Sequence, residues 1–515
     1  MRPAKSLPIW LTVSLIVGLL FGVGLRFIYL ERKIMRFDEV FNRLHTAAHD
    51  EHREANPTLY TGELISAEML QRFQHHDPSK TLLDTYRTLN RKEPSKTPLY
   101  FTLAWGWTRL FDSKIETYRA LSAIFGVLAL PATYWLCREL RFARAAGVVA
   151  TVLMALSPIM IRQSQDARPY SIWLLATLLV CVFLLRAIRF SRRSDWVLYA
   201  AAAAAALYVQ LLSIVVRTAH AGFIALRWWQ RRNSAEFAAY IIASASGLLL
   251  FTPWGVLIWR RRATIWSTTS YLSQSLDQTI TLRQSALNLS HLLFGWPPTH
   301  TWLLPFATAA TLLLIIVATA HFLPTAKQEG RILIGLLILV NLAVFVLPDL
   351  LFGGQRAVRA RYFIPAYSAT ILIIGDWLAA VAKQRWGQWL LTAILLATAT
   401  SSVYSVQAAT WWGLSQVDLD VAEIVNREAD SLFVSDVPFG VIGILTDQLA
   451  SSTQLQLTKE PETLTLAEHS GTTFVYNPSK KLIQRMHDTT QGSLTLVYQN
   501  QRWDGPTVSL YKLEP

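Results

Sequence analysis

Three short clusters hold the side chains best suited to chemistry. Asp38 and Glu39 are adjacent carboxylates just beyond an apolar run, Pro8–Leu30. Such a pair can serve as a general base or bind a divalent metal, and partial desolvation raises carboxylate basicity. It also suits the acidic first turn of an ordinary helix. The second cluster is Gln165-Asp166-Ala167-Arg168-Pro169-Tyr170, preceded by Ser157-Pro158. Arg168 can hold a phosphate there while Asp166 orients it or a sugar hydroxyl. Equally, Asp166 can pair with Arg162 or Arg168 at a plain helix break. The third comprises Arg356, Arg359, Arg361 and Tyr362, ahead of a late apolar run. Three arginines facing outward suit an anionic phosphate carrier. An inverted topology beyond Val197 would account for them as well, and for Arg260, Arg261 and Arg262.

Other residues carry weaker signals. His45 and His49 share a helix face, with His52 nearby, but Thr46 follows His45 and the zinc-protease pattern is absent. They are expected to be solvated loop side chains. Asp418-Leu419-Asp420 resembles an Asp-x-Asp motif and is expected to be surface charge, while Asn288-Leu289-Ser290 is a sequon of no assignable meaning. Cys137 and Cys181 have no metal spacing and no evident disulfide, so they reveal no redox compartment.

The elements that must position these residues are mostly membrane spans. The 515 residues are 52% hydrophobic and 16% charged, against about a quarter charged in soluble domains. Pro8–Leu30 exceeds the roughly 20 residues needed to cross a bilayer. With Arg2 and Lys5 ahead of it, it reads as an uncleaved signal-anchor starting in the cytoplasm. Further spans are expected near 118–136, 145–160, 170–185, 197–229, 238–259, 302–323, 332–351, 363–381 and 389–408. Arginines at 138, 141 and 144, and at 186, 189, 192 and 193, mark two cytoplasmic turns. The first loop and the Ser157–Pro169 loop then lie outside, and Pro98–Phe111 does not cross.

Val197–Trp229 would make roughly 50 Å of helix, long for one crossing and short for two. Two short helices meeting near Arg217 and His220 fit best, for a total of about eleven spans. After the last span, short β-rich runs at 432–435, 473–476, 494–498 and 508–511 alternate with helix-like stretches such as Val417–Ala429. The expected fold is therefore mainly α: a polytopic transmembrane helical bundle with a small extracytoplasmic C-terminal α/β domain. Its domains are 1–410, with 31–117 as the first external loop, and 411–515. The net charge of +14 does not imply nucleic acid, because the basic residues bracket apolar runs instead of lining a soluble face.

In order and motif these clusters resemble the GT-C superfamily of membrane glycosyltransferases. The likeness is to family-39-type enzymes related to protein mannosyltransferases and the lipid A aminoarabinose transferase. It is carried by Asp38-Glu39, then Thr97-Pro98-Leu99-Tyr100, then Gln165–Tyr170, then Arg361-Tyr362-Phe363-Ile364-Pro365. The usual His-Pro-Pro-Leu-Tyr lacks its His and one Pro here. The resemblance implies inverting transfer from a polyprenyl-phosphate-linked sugar to an external glycan, lipid or protein acceptor, in a bacterial inner membrane. It implies Asp38 as base, Glu39 positioning base or acceptor, and Arg168, Arg361 and Arg359 on the carrier phosphate. Asp166, Tyr170, Tyr100 and Tyr362 would complete the substrate site. No cofactor is implied; a divalent metal is allowed by the chemistry but not indicated.

Two other classes compete. A transporter or flippase would show internal repeats and mid-membrane charge, of which only Arg217 with His220 is a candidate. A non-catalytic membrane assembly protein would use its C-terminal domain to bind a partner.

Overall fold

The computed structural model describes residues 8–296, 302–489, 492–502 and 507–514. Along the chain, α1 (Ile9–Leu25) precedes α2 (Phe37–Thr46), strand β1 (Thr61–Ser66), α3 (Pro98–Leu110) and α4 (Ile115–Glu139). Next come α5 (Arg144–Leu156), α6 (Pro158–Gln165), α7 (Tyr170–Phe190), α8 (Arg193–Val209), α9 (Ser213–Arg231) and α10 (Ser234–Arg260). The later helices are α11 (Gln278–Ser290), α12 (Leu303–Thr325), α13 (Gln328–Phe345), α14 (Ile364–Val381) and α15 (Arg385–Gln407). The C-terminal segment holds α16 (Gln416–Asn426), β2 (Leu432–Ser435), α17 (Phe439–Leu445), β3 (Gln454–Thr458), β4 (Thr473–Tyr476), α18 (Lys480–Thr489), β5 (Ser493–Gln501) and β6 (Thr507–Glu514).

Among the described residues, seven helices are long and apolar enough to cross a membrane, or eight if α5 and α6, bent by 57°, count as one span. This is a multi-pass membrane protein. The expected eleven or so spans include three further helices, α1, α8 and α9, which fall short in length or apolarity. α3 has 13 residues, too few for a crossing, in line with its reading as a non-spanning helix. Val197–Trp229 does divide into two helices, but the break falls at 210–212. Arg217 and His220 lie inside α9 and do not mark a tip, a correction to the expected position. Both are buried in the bundle, where a polar side chain is tolerated without a loop.

The residues form two compact units. The first comprises residues 1–30, 93–100 and 119–408, with α5 at its heart. Every residue of α5 from Val149 to Leu156 is buried, as expected of a helix enclosed by others. Close approach depends on small residues. A methyl added at Gly375 of α14 would sit 2.6 Å from Ala150, and one at Gly22 of α1 would sit 2.6 Å from the Ala155 carbonyl.

The second unit comprises residues 31–92, 101–118 and 409–515. Its six-stranded sheet has the order β1-β3-β2-β4-β6-β5. Strand β2 runs parallel to β3 and β4, and the other pairings are antiparallel. Both β2 and β4 are buried throughout, as central strands covered on both faces must be. Leu432, Val434, Val475, Leu482 and Met486 form the core between this sheet and α18. The four β-rich runs expected from sequence all appear. Strands β1 and β3 are additional, and β1 comes from the first loop, pairing Ile65 with Leu455.

If the C-terminal segment supplies the partner of β1, ending the chain at Ala408 should expose it. Limited proteolysis is then expected to cut within Thr61–Ser66 in the truncated protein and to spare that stretch in the full chain.

Candidate active site

The carboxylate cluster lies in the second unit. Asp38 and Glu39 occupy the first turn of α2, and they differ sharply. Glu39 is fully buried, and its Oε2 accepts a 3.1 Å hydrogen bond from the Arg36 main-chain N–H. It closes the helix start as a capping-box carboxylate does. Asp38 is half-buried. The helix behind it is held firmly. Arg43, 1% exposed, donates to Asp447 Oδ2 at 3.1 Å and to the Ser113 carbonyl at 3.2 Å. A methyl at Gly443 of α17 would sit 2.5 Å from Val40, and one at Gly440 would sit 2.4 Å from Phe41. The C-terminal segment thus packs directly on the helix that carries Asp38.

Two expectations about this unit are corrected. His45 and His49 are buried, not solvated, and His49 Nδ1 lies 2.7 Å from Glu54 Oε2. Only His52 is exposed. Asp418 is also buried; it accepts hydrogen bonds from Arg502 and, at 3.1 Å, from the Tyr476 hydroxyl. Burial drives its pKa above the ordinary carboxylate value, against the opposing pull of Arg502. Asp420 accepts from the Tyr498 hydroxyl at 2.7 Å, so the Asp-x-Asp stretch ties α16 to the sheet. Among the described residues, no three His, Cys, Asp or Glu side chains gather as metal ligands would.

The other two clusters lie in the first unit. Pro158 has no N–H to continue α5, and the chain turns there into α6. The carbonyls left at the end of α5 still need donors. Arg26 Nη1 reaches the Ala155 carbonyl at 2.6 Å, Arg26 Nη2 the Met154 carbonyl at 3.0 Å, and Ser402 Oγ the Leu156 carbonyl at 2.5 Å. Gln165, at the end of α6, returns the favour. Its Nε2 donates to the Leu25 and Ile28 carbonyls at 2.7 and 2.9 Å, closing the end of α1.

The loop from Asp166 to Pro169 follows at once. Arg162 Nε lies 3.8 Å from Asp166 Oδ2, so the pairing weighed for this loop is present. Arg168 is buried; its Nη2 donates to the Tyr170 hydroxyl at 3.2 Å, and its carbonyl accepts from Ser122 Oγ at 3.2 Å. Tyr100 is fully buried. The segment that precedes it is tied to α10 by a 3.3 Å hydrogen bond from Trp254 Nε1 to the Pro94 carbonyl.

In the third cluster Arg356 is engaged structurally, donating to Asp349 Oδ1 at 2.8 Å. Arg359 is buried, donates to Gln355 Oε1, and lies 5.4 Å from the Tyr271 ring centre. Arg361 is half-buried, 5.4 Å from the ring of Tyr362. Two asparagines pin this segment by its carbonyls. Asn288 Nδ2 donates to Val358 at 2.8 Å and Asn341 Nδ2 to Tyr362 at 3.1 Å. The sequon asparagine is therefore a buried structural donor, 4% exposed. Arg260, Arg261 and Arg262 are exposed and take no part.

The end of α11 links the second and third clusters. Ser157 Oγ donates to the Leu292 carbonyl at 2.7 Å and the Ile159 N–H to the His291 carbonyl at 3.0 Å, while Asn288 holds Val358. His291 is buried, and its pKa falls well below the ordinary imidazole value, first through burial and then through the charge of Arg162. Sequence inspection missed Arg26, Asn288, His291 and Asn341. Only the sequon drew attention to Asn288, and for another reason.

Residues 95–259 match the family described as dolichyl-phosphate-mannose-protein mannosyltransferase. The matched interval contains Pro98-Leu99-Tyr100 and Gln165–Tyr170 and leaves Asp38-Glu39 and Arg361-Tyr362 outside it. No curated protein matches the chain. The crystal structure of ArnT from Cupriavidus metallidurans bound to undecaprenyl phosphate aligns at a TM-score of 0.54 and 12% identity, covering 97% of this chain and 98% of that one. The chain has the ArnT fold. The apo form of the same protein aligns at 0.52 and 11% identity, with the same coverage of each chain. An Archaeoglobus fulgidus oligosaccharyltransferase aligns at 0.47 and 13% identity, over 87% of this chain and 64% of that one. The ArnT fold and the matched interval bear out the resemblance to GT-C enzymes read from the order of the motifs.

Asn288→Ala removes the donor from a buried carbonyl beside Arg359. A loss of about 1–3 kcal/mol is expected, seen as a lower unfolding temperature of the purified protein in detergent.

Proposed function

We propose that the protein is a membrane glycosyltransferase that moves a sugar from a polyprenyl-phosphate carrier to an extracytoplasmic hydroxyl acceptor. The observation that carries this reading is the ArnT fold over 97% of the chain, with two arginine-bearing segments joined through α11. The ArnT relative binds undecaprenyl phosphate, and the matched family is described by its dolichyl-phosphate-mannose donor. A lipid-linked donor needs cations at the membrane surface to receive a phosphate that leaves with its negative charge. Arg168, Arg359 and Arg361 are the proposed cations, and Tyr100, Tyr170 and Tyr362 the rings flanking the substrate.

In the proposed reaction the acceptor oxygen attacks the anomeric carbon as the bond from that carbon to the phosphate oxygen breaks. The acceptor proton passes to Asp38, and the carrier phosphate departs against the arginines. Glu39 sets the position of Asp38 by closing the start of α2. Asp166 stays paired with Arg162 and steadies the Arg168 loop. The active face and the C-terminal segment are placed outside a bacterial inner membrane, following the arginine-rich turns.

Two substitutions test these roles in a transfer assay with a radiolabelled polyprenyl-phosphate sugar. Asp38→Asn is expected to lower kcat by about 100- to 10,000-fold while the protein still inserts and folds; near-normal turnover would remove Asp38 as the base. Arg361→Ala is expected to raise the donor KM by about 10- to 100-fold, the loss of one charge-assisted hydrogen bond. An unchanged donor KM would remove Arg361 from the phosphate site.

A further inference from the structure

Arg217 takes no part in the arginine segments described above. It sits in the second turn of α9, 7% exposed, among helices of the first unit. Its Nη2 donates to the Ser244 carbonyl at 2.8 Å, and its Nη1 has no acceptor on the protein. No carboxylate pairs with it among the described residues. A guanidinium buried without a counter-charge in an apolar bundle is costly, and such side chains are kept where an ion or polar ligand uses them.

The space beside it has the character of a site. A small pocket, with room for about one water-sized group, is lined by Arg217, Thr177 and Ser213, with Val180, Ala203 and Val216 as apolar walls. Thr177 is 3% exposed, and its Oγ1 also lacks a protein partner. The Ser213 hydroxyl is spent on the Ala206 carbonyl at 2.7 Å. His220, one turn further along α9, faces Cys181 Sγ at 3.3 Å and Tyr199 OH at 3.4 Å, so neutral groups surround it and none balances Arg217. Arg217 Nη1 and Thr177 Oγ1 therefore border the same pocket without protein acceptors or donors, and no acid lines it.

We propose that this pocket binds one monovalent anion, held by Arg217 Nη1 and the Thr177 hydroxyl. One guanidinium balances a single negative charge, and a dianion would stay undercompensated in these apolar walls. The space suits a single monatomic anion such as a halide and is too small for a phosphodiester. The site shares no residue with the proposed donor site and does not depend on that assignment. Occupancy ties α7, α9 and α10 together, because the anion bridges Thr177 on α7 to an arginine already bonded to Ser244 on α10.

The test is thermal unfolding of the full chain purified in detergent, with gluconate as the only anion, followed by titration of sodium chloride or bromide at constant ionic strength. In a separate arm phosphatidylglycerol is added without halide. A halide site is expected to give a saturable rise in unfolding temperature with chloride and bromide. A rise with phosphatidylglycerol and none with either halide would overturn the proposal. Thr177→Val, which retains the charge, should weaken the apparent affinity several-fold, and Arg217→Gln should abolish the response. If no anion raises the unfolding temperature, or if Thr177→Val responds as the parent does, the pocket holds water alone and the proposal is overturned.

Discussion

A helix that ends inside a packed protein interior leaves carbonyl groups with no water to donate to them. The break after α5 imposes that constraint on everything around it. Pro158 stops α5 at Leu156, and Arg26, Ser402 and the turn into α6 then answer for the carbonyls. Gln165 closes the end of α1 in exchange. These bonds fix where the Asp166–Pro169 loop begins, so the position of Arg168 follows from a backbone requirement. Gln165, the first residue of the motif, is a main-chain clamp.

The same logic extends to α11. Its last turn and the residues after it accept from Ser157, Ile159, Ser401 and Ser405, while Asn288 donates to the arginine segment. One short helix thus couples two stretches of chain separated by nearly two hundred residues. In the second unit the corresponding anchor is α2, gripped by Gly440, Gly443 and the Arg43–Asp447 pair. The C-terminal segment therefore has a concrete structural part, as the bed on which the Asp38 helix rests.

Much of this was legible in the residues themselves. Span lengths and the two arginine-rich turns follow from hydropathy and charge, which are local properties. The four β-rich runs were readable because buried strands concentrate branched and aromatic residues in short stretches. The order of the motifs along the chain pointed to the GT-C fold. The division of Val197–Trp229 came from length alone, since no bilayer accommodates so long a straight helix without tilt.

Other features depended on partners distant in the chain. Strand β1 is polar and mostly exposed, and it is a strand because β3, nearly four hundred residues later, offers it an edge. Asp418, His45 and His49 look solvated in sequence because a charged or titratable side chain usually is; burial comes from Arg502, Tyr476 and packing that no local pattern records. The break between α8 and α9 contains no proline or glycine, and the charged residues that seemed to mark it are buried one turn and more inside α9. Residue type and spacing determined which chemistry this protein can carry and how it meets the membrane. Tertiary structure decided which polar groups serve the backbone and which remain for a ligand, because that division depends on which carbonyls and charges each side chain reaches.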